Sequence, residues 1–423
     1  MESDSALILL GPFKEIVTGD KWPDRGPVSM ESVHLIRNGG ILVEDKWIFA
    51  VGDYDDLRKQ FPGVRRDHQE KDLILFAGFI DSHTHCCWAG SRSADFSRRL
   101  EGKHYQEIAA EGGGIWSTVR ATREASFDSL LETTLQRLGL LLARGITTVE
   151  IKSGYGLNVP SEIKILRVIE EAKKRTILDV VPTCLAAHIK PKDFSGSNIN
   201  YLDMLLKELL PVLKKEMLTE RIDIFIDREV FTPEESTAFL KESKQIGFAI
   251  CVHADQFSPG GSKVGCDVDA LSVDHLECSR DRDLEMIARS DTIGVLLPGA
   301  SIGLGMSFAP ARRLLDLGGK MAIASDWNPG SAPMGNLLTQ ASILATYEKL
   351  NVAEVIASVT FRAAKVLNLH DRGRLTPGQL ADMQAYEIED YRDLIYYQGE
   401  VKPTFVWKNG KKVYEKNGTS EIS

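Results

Sequence analysis

Between residues 73 and 327 the chain carries eight short apolar, β-rich runs, at 73–81, 146–153, 178–187, 222–228, 247–254, 270–276, 292–298 and 320–326. Helix-like segments separate them. Strands that alternate with helices form a parallel sheet, and eight such units over roughly 250 residues is the size at which the sheet closes on itself. Continuous apolar runs such as LILFAGFI and MAIAS suit strands buried on both faces, which a jacket of helices supplies. The flanks differ: VHLIRNGGILVEDKWIFAVG (33–52), LADMQAYEIED and KPTFVWKNGKKVY read as strands and turns, with tight hairpins expected at Asn38-Gly39 and Asn409-Gly410. The expected fold class is therefore α/β, a distorted (β/α)8 TIM-type barrel over 75–374. A small β-sandwich is expected from both termini, 1–74 and 375–423, with the tail NGTSEIS frayed.

Histidine placement gives this frame a chemistry. The chain has nine histidines, and His83, His85, His188, His253 and His275 fall at or just past the carboxyl ends of expected strands. In a barrel those ends share one face, where the following loops surround a ligand. Asp81-Ser-His83-Thr-His85 closes the first run, and residues two apart in an extended segment point the same way. His253 closes a later run in CVHAD and Asp326 the last in ASDWNPGS. Three neutral imidazoles and one carboxylate suit Zn2+ or Fe2+ with a position left for water, whose pKa such an ion lowers from about 15.7 to about 7. Asp326 can accept a proton from that water, and His275 in LSVDHLE can orient or polarise the reacting group. The bland readings are a helix cap for Asp326 and, for His275, a buried imidazole bonded to Asp274 or Glu277.

Composition excludes several classes. The 51 basic and 60 acidic residues leave a net charge of −9 without a run of Lys or Arg, which argues against a nucleic-acid partner. The first thirty residues lack the basic start and apolar middle of a signal peptide, and no stretch approaches the ~18 apolar residues of a membrane span. Six scattered cysteines, with no Cys-x-x-Cys pair, read as reduced thiols in the cytoplasm.

The stretches GFIDSHTH, AGSRSADFSRRL, YQEIAAEGGGIWSTVRATREAS, TTVEIKSGYGL, HADQFSPGG, DHLE, LLPGA and ASDWNPGSAP resemble the amidohydrolase superfamily and, within it, the imidazolonepropionase family of histidine degradation. The likeness runs from about residue 33 to 410. It implies a mononuclear metal site, Zn or Fe, on His83, His85, His253 and Asp326, with substrate contacts on Arg92, Tyr155, His188, Gln256, Asn328, Gly330 and Ser331. It also implies a homodimer and no organic cofactor. The implied reaction opens the ring amide of 4-imidazolone-5-propanoate to give N-formimidoyl-L-glutamate, the carbonyl being polarised with help from His188 or His275. A guanidinium such as Arg92 can grip the substrate carboxylate as a fork; without the resemblance Arg92 reads as a solvated loop charge and Tyr155 as loop packing. Gln256 stands where related proteins carry a glutamate and, being an amide, cannot act as a base. Lys152, near where binuclear members place a carbamylated lysine, reads as structural. Cys86-Cys87-Trp88 departs from the aliphatic residues expected after the first metal pair. The competing readings are a deaminase of a purine or related ring and a catalytically inactive scaffold.

Overall fold

The run 73–81, read above as one strand, is two. A computed structural model of the chain describes residues 7–69, 71–103, 107 and 112–416; the tail 417–423 and most of 104–111, within the YQEIAAEGGG stretch, lie outside the described residues. Its strands are β1 Leu7–Val17, β2 Leu35–Glu44, β3 Trp47–Asp53, β4 Arg65–His68 and β5 Ile74–Ala77. After these come β6 Phe79–Asp81, β7 Ile146–Lys152, β8 Asp179–Ala187, β9 Arg221–Ile226 and β10 Ala249–Ala254. The series ends with β11 Ser272–His275, β12 Ile293–Leu296, β13 Met321–Ile323, β14 Met383–Tyr386, β15 Phe405–Lys408 and β16 Lys411–Glu415. Gly78 separates β5 from β6. Its N–H donates to Asp382 O (2.9 Å), while the next N–H, of Phe79, donates to Gly145 O (2.9 Å), so the chain changes sheets within one residue. A Cβ at Gly78 would lie 2.4 Å from Thr147 Oγ1, which explains the glycine.

Strands β6 to β13 pair in parallel in chain order. The last step back to β6 is made by a bridge between Thr84 and Trp327, with Asp326 N–H donating to His83 O and His85 N–H to Trp327 O, both at 3.0 Å. The Asp81 carboxylate reinforces this seam by accepting from Ser325 N (2.9 Å) and Ser325 Oγ (2.5 Å). Every residue of β7 and β12 is buried, as a sheet covered by helices requires. Burial of each large aliphatic side chain there contributes about 1.5–3 kcal/mol. Inside the seam, Ile80, Val295, Ala322 and Ala324 pack with Ala363 and Val366 of the helix Phe361–Val366.

The other eight strands form one mixed sheet from both ends of the chain, in the order β16-β15-β14-β5-β1-β2-β3, with β4 also paired to β1. Its core holds Phe13, Ile41, Leu75, Met383 and Trp407, and Phe13 meets Trp407 edge to face at 6.1 Å. Asn409 and Gly410 both have positive φ (52° and 74°), the geometry of the tight hairpin expected between β15 and β16. Asn38-Gly39 is not a turn but lies inside β2. Gly39 is there for packing, since a Cβ would sit 2.5 Å from Ile16 Cδ1, and the reversal comes later, at Asp45-Lys46, where Asp45 has φ 53°. No helix among the described residues is long and apolar enough to cross a membrane.

Candidate metal centre and active site

His83, His85 and His253 each bring one ligand-capable atom within 4.8 Å of the others. Asp326 joins them: its Oδ1 lies 3.6 Å from His83 Nε2 and 3.3 Å from His85 Nε2. All four residues are buried. Backbone geometry aims Asp326 and the neighbouring His275, for Asp326 has φ 51°, and His275 and Leu276 have φ 88° and 74°. Such conformations are costly for residues with a Cβ and are held where surrounding structure demands a side-chain direction.

Burial, then the Lys152 charge, pushes His85 down to about 3. Burial likewise lowers His253 to about 4, against the pull of Asp223, and drives His83 well below its ordinary value. The imidazoles are therefore neutral, as ligands must be. His83 Nε2, His85 Nδ1 and His253 Nε2 are buried without a hydrogen-bond partner. Unpaired buried nitrogens are expensive in a folded protein, and three neutral imidazoles beside a carboxylate are the donor set of a zinc or ferrous ion. The residues fit such an ion.

A ring of carboxylates stands behind the imidazoles, of which the sequence offered only Asp274, and that as a partner for His275. Asp274 Oδ2 lies 2.6 Å from His83 Nδ1, and Asp223 Oδ2 lies 2.9 Å from His253 Nδ1. Carboxylates in these places fix ring orientation and tautomer. Burial raises Asp274 to about 7, whereas pairing with His253 and the Lys152 ammonium outweighs burial at Asp223 and holds it well below the usual carboxylate range. The legible signal was an acid within an apolar run, as in RIDIFI, SVDH and TVEIK. Lys152 is fully buried among Glu150, Asp223 and Asp274, which together overcome burial and raise its pKa.

The remaining expected residues line the approach. His188 follows β8, with its ring stacked at 5.6 Å on His85 and 5.7 Å from Tyr155. Its Nδ1 is 3.1 Å from Gly154 O. Gly154 is at φ 112°, and a Cβ there would meet Leu185 O at 2.8 Å. Glu162, also missed from sequence, holds this loop by accepting from the N–H groups of Gly154, Gly156 and Leu157. His275 lies 5.3 Å, ring to ring, from His253. Its Nδ1 is 3.5 Å from Glu277 Oε2, so Glu277 is the partner in this pair and Asp274 turns to His83. Burial would lower His275, but the Glu277 charge prevails and raises it.

Arg92 Nε bonds Asp95 Oδ2 at 2.5 Å. Its Nη1 is directed at Gly330, where a Cβ would come to 3.0 Å. Asn328 Oδ1 accepts from Gly330 N and Ser331 N, both at 2.8 Å, and its Nδ2 donates to Asp326 O at 2.7 Å. That side chain builds the loop that carries Asp326. Ser331 Oγ reaches Asp326 Oδ2 at 3.4 Å. Gln256 is buried in the loop after β10. Cys86 and Cys87 belong to the main hydrophobic cluster, where burial lifts them to about 12 and about 11; they are thiols, outside the metal-capable group.

Residues 74–413 match the model of the amidohydrolase family, and residues 39–63 match an imidazolonepropionase-like composite domain of bacteria. The imidazolonepropionase of Bdellovibrio bacteriovorus is 39% identical over 392 residues, 92% of this chain and 91% of that protein. The imidazolonepropionase of Deinococcus deserti is 37% identical over 402 residues, 95% and 98% respectively. Among solved structures, an adenosine deaminase from Xanthomonas campestris with bound zinc superposes with a TM-score of 0.70 at 16% identity, covering 96% of this chain and 93% of that one. Atrazine chlorohydrolase TrzN from Arthrobacter aurescens, complexed with zinc, gives 0.68 at 17%, covering 96% and 95%. At such identities these two structures show the shared fold.

Proposed function

Because this chain belongs to the imidazolonepropionases of the amidohydrolase family, it hydrolyses 4-imidazolone-5-propanoate to N-formimidoyl-L-glutamate, and we propose how its residues divide that work. His83, His85, His253 and Asp326 would hold one Zn2+ or Fe2+ per subunit, which when bound would supply Lewis acidity and an activated water. Asp326, whose carboxyl burial raises, takes the proton from the attacking water and returns it to the ring nitrogen as the C–N bond breaks. His275, kept basic by Glu277, donates to the carbonyl oxygen as negative charge grows there. His188 takes a different part. A carbonyl can only accept, so the contact with Gly154 O puts the proton on Nδ1 and leaves Nε2 an acceptor for a substrate N–H. Arg92 grips the propanoate carboxylate, its fork held by Asp95, while Tyr155, Gln256 and the Asn328–Ser331 loop line the pocket.

The convergence of three buried, neutral imidazoles on Asp326 carries this reading. Purified protein incubated with imidazolone propanoate, and separately with guanine, cytosine and adenosine, tests it against the deaminase. Ring opening without ammonia release is expected; ammonia from a base with no ring opening would sink it. Less than about 0.3 metal per chain, with no activity restored by Zn2+ or Fe2+, would favour an inactive scaffold.

A cytoplasmic homodimer belongs to the same reading, supported for the compartment by six free cysteines. So does a division into a small domain, 1–74 with 375–423, and a barrel, 75–374. Sedimentation at two concentrations and limited proteolysis address these points.

A further inference from the structure

Lys152 is the last residue of β7 and is fully buried. Its Nζ lies 2.8 Å from Asp223 Oδ2, 2.9 Å from Glu150 Oε2 and 3.7 Å from Asp274 Oδ2. The two aspartate oxygens are the same atoms that approach the imidazoles: Asp223 Oδ2 faces His253 Nδ1 and Asp274 Oδ2 faces His83 Nδ1. One ammonium therefore touches both carboxylates that orient two of the three histidines. Glu150 has other support, from Thr183 Oγ1 at 2.5 Å and Arg221 Nη2 at 3.6 Å. Among the ion pairs of the described residues, Asp223 and Asp274 have no cationic partner besides Lys152 and the histidines themselves.

Resting on the reading of His83 and His253 as ligands, we propose that the Lys152 ammonium is the built-in second cation of this centre, a positioning residue that holds Asp223 and Asp274 against the two imidazoles and limits the site to one divalent ion. Three carboxylates converging inside a barrel would otherwise make an oxygen cage for a hard cation. The ammonium fills that cage permanently. A carbamate on Lys152 would instead add an anion beside three carboxylates, so the lysine serves here unmodified. With the ammonium gone, Asp223 and Asp274 lose the donor that holds them in place and turn from the ring nitrogens, and the imidazoles lose the partner that presents Nε2 for coordination.

The test is chelator-competition titration of the metal-free protein with Zn2+, together with the visible spectrum of the Co2+ form. Wild type is expected to bind one ion and to refuse a second at millimolar Zn2+. Lys152→Met is expected to bind the first ion about tenfold to a hundredfold more weakly, to show a changed Co2+ spectrum, and to admit a second ion among the vacated carboxylates. A lysine that only supports the core would lower the melting temperature and leave affinity and spectrum alone. First-ion affinity within about twofold of wild type with an unaltered spectrum overturns the positioning role, and a variant that still admits one ion only overturns the exclusion role. If Lys152→Met does not fold, Lys152→Gln is judged by the same criteria. A second ion bound tightly by wild type overturns the exclusion role with no variant needed. His83→Ala is the control: undiminished binding there removes the ligand reading and leaves Lys152 aside.

Discussion

Two charge clusters in this molecule, each with a buried lysine among carboxylates, differ in completeness. At the junction of the small sheet and the barrel, Lys408 Nζ bonds both Asp179 and Asp382 at 2.7 Å. Asp382 Oδ1 also accepts Asn409 N (2.9 Å), and Arg372 bonds Asp179, Asp371 and Thr148 Oγ1. At the barrel mouth, one ring nitrogen each of His83, His85 and His253 stands buried with no partner, next to backbone held at positive φ. The junction's polar groups are paired, whereas those of the mouth are left open. Completeness of hydrogen bonding, rather than charge, separates a joint from a reaction centre.

Removing a ligand should therefore cost function most. Asp326→Ala is expected to lower turnover about a thousandfold or more, because ligand and base are lost together, and to release metal to a chelator. Turnover within tenfold of wild type would break the contrast at the mouth. At the junction, Lys408→Met leaves Asp382 buried without its cation and is expected to destabilise folding by about 3–5 kcal/mol, read by urea denaturation. Metal content and KM should stay at wild-type values. If KM or metal content moved instead, the two clusters would not be independent.

The same contrast governs what could be read in advance. Barrel strands were legible because a helix-wrapped sheet needs unbroken apolar runs, and His83, His85, His253 and Asp326 were legible because they end such runs. Gly78 hid a change of sheet, since apolar text continues on both sides of it while only the backbone partner changes. Asn38-Gly39 misled because glycine can serve close packing against Ile16 as well as a turn. Asp223 and Glu150 were overlooked through attention to strand ends, and Asp274 was weighed only as a partner for His275 when it serves His83. An acid within an apolar strand run has to meet a cation or a donor, and that alone was signal enough. The pairing of His275 with Glu277 rather than Asp274 could not be read at all, because both acids lie within two residues and only the positive φ at His275 and Leu276 decides between them.

Smaller effects sharpen the picture inside the mouth. Arg92→Ala should raise KM about tenfold to a hundredfold with kcat little changed, since a charge-assisted bond contributes about 1.5–3 kcal/mol to ground and transition states alike. An unchanged KM would move the carboxylate grip to another residue.

The finest distinction is a count of protons. Three histidines of ordinary pKa, about 6.5, would be almost fully protonated at pH 5 and would release nearly three protons on binding a metal. In this site His85 and His253 are pushed down to about 3 and about 4, and His83 lies well below its ordinary value. Protonation is thus deferred until the pH falls through about 4, and metal binding at pH 5 displaces almost no imidazole protons. Calorimetric titration of the metal-free protein with Zn2+ at pH 5, in buffers of different ionisation enthalpy, reads the number directly. A release of about two protons or fewer is expected, attributable to Asp326, Asp274 and bound water. A release near three would mean that the imidazoles are charged before the ion arrives, and the unpaired nitrogens at the mouth would then be protonated donors rather than lone pairs waiting for a metal.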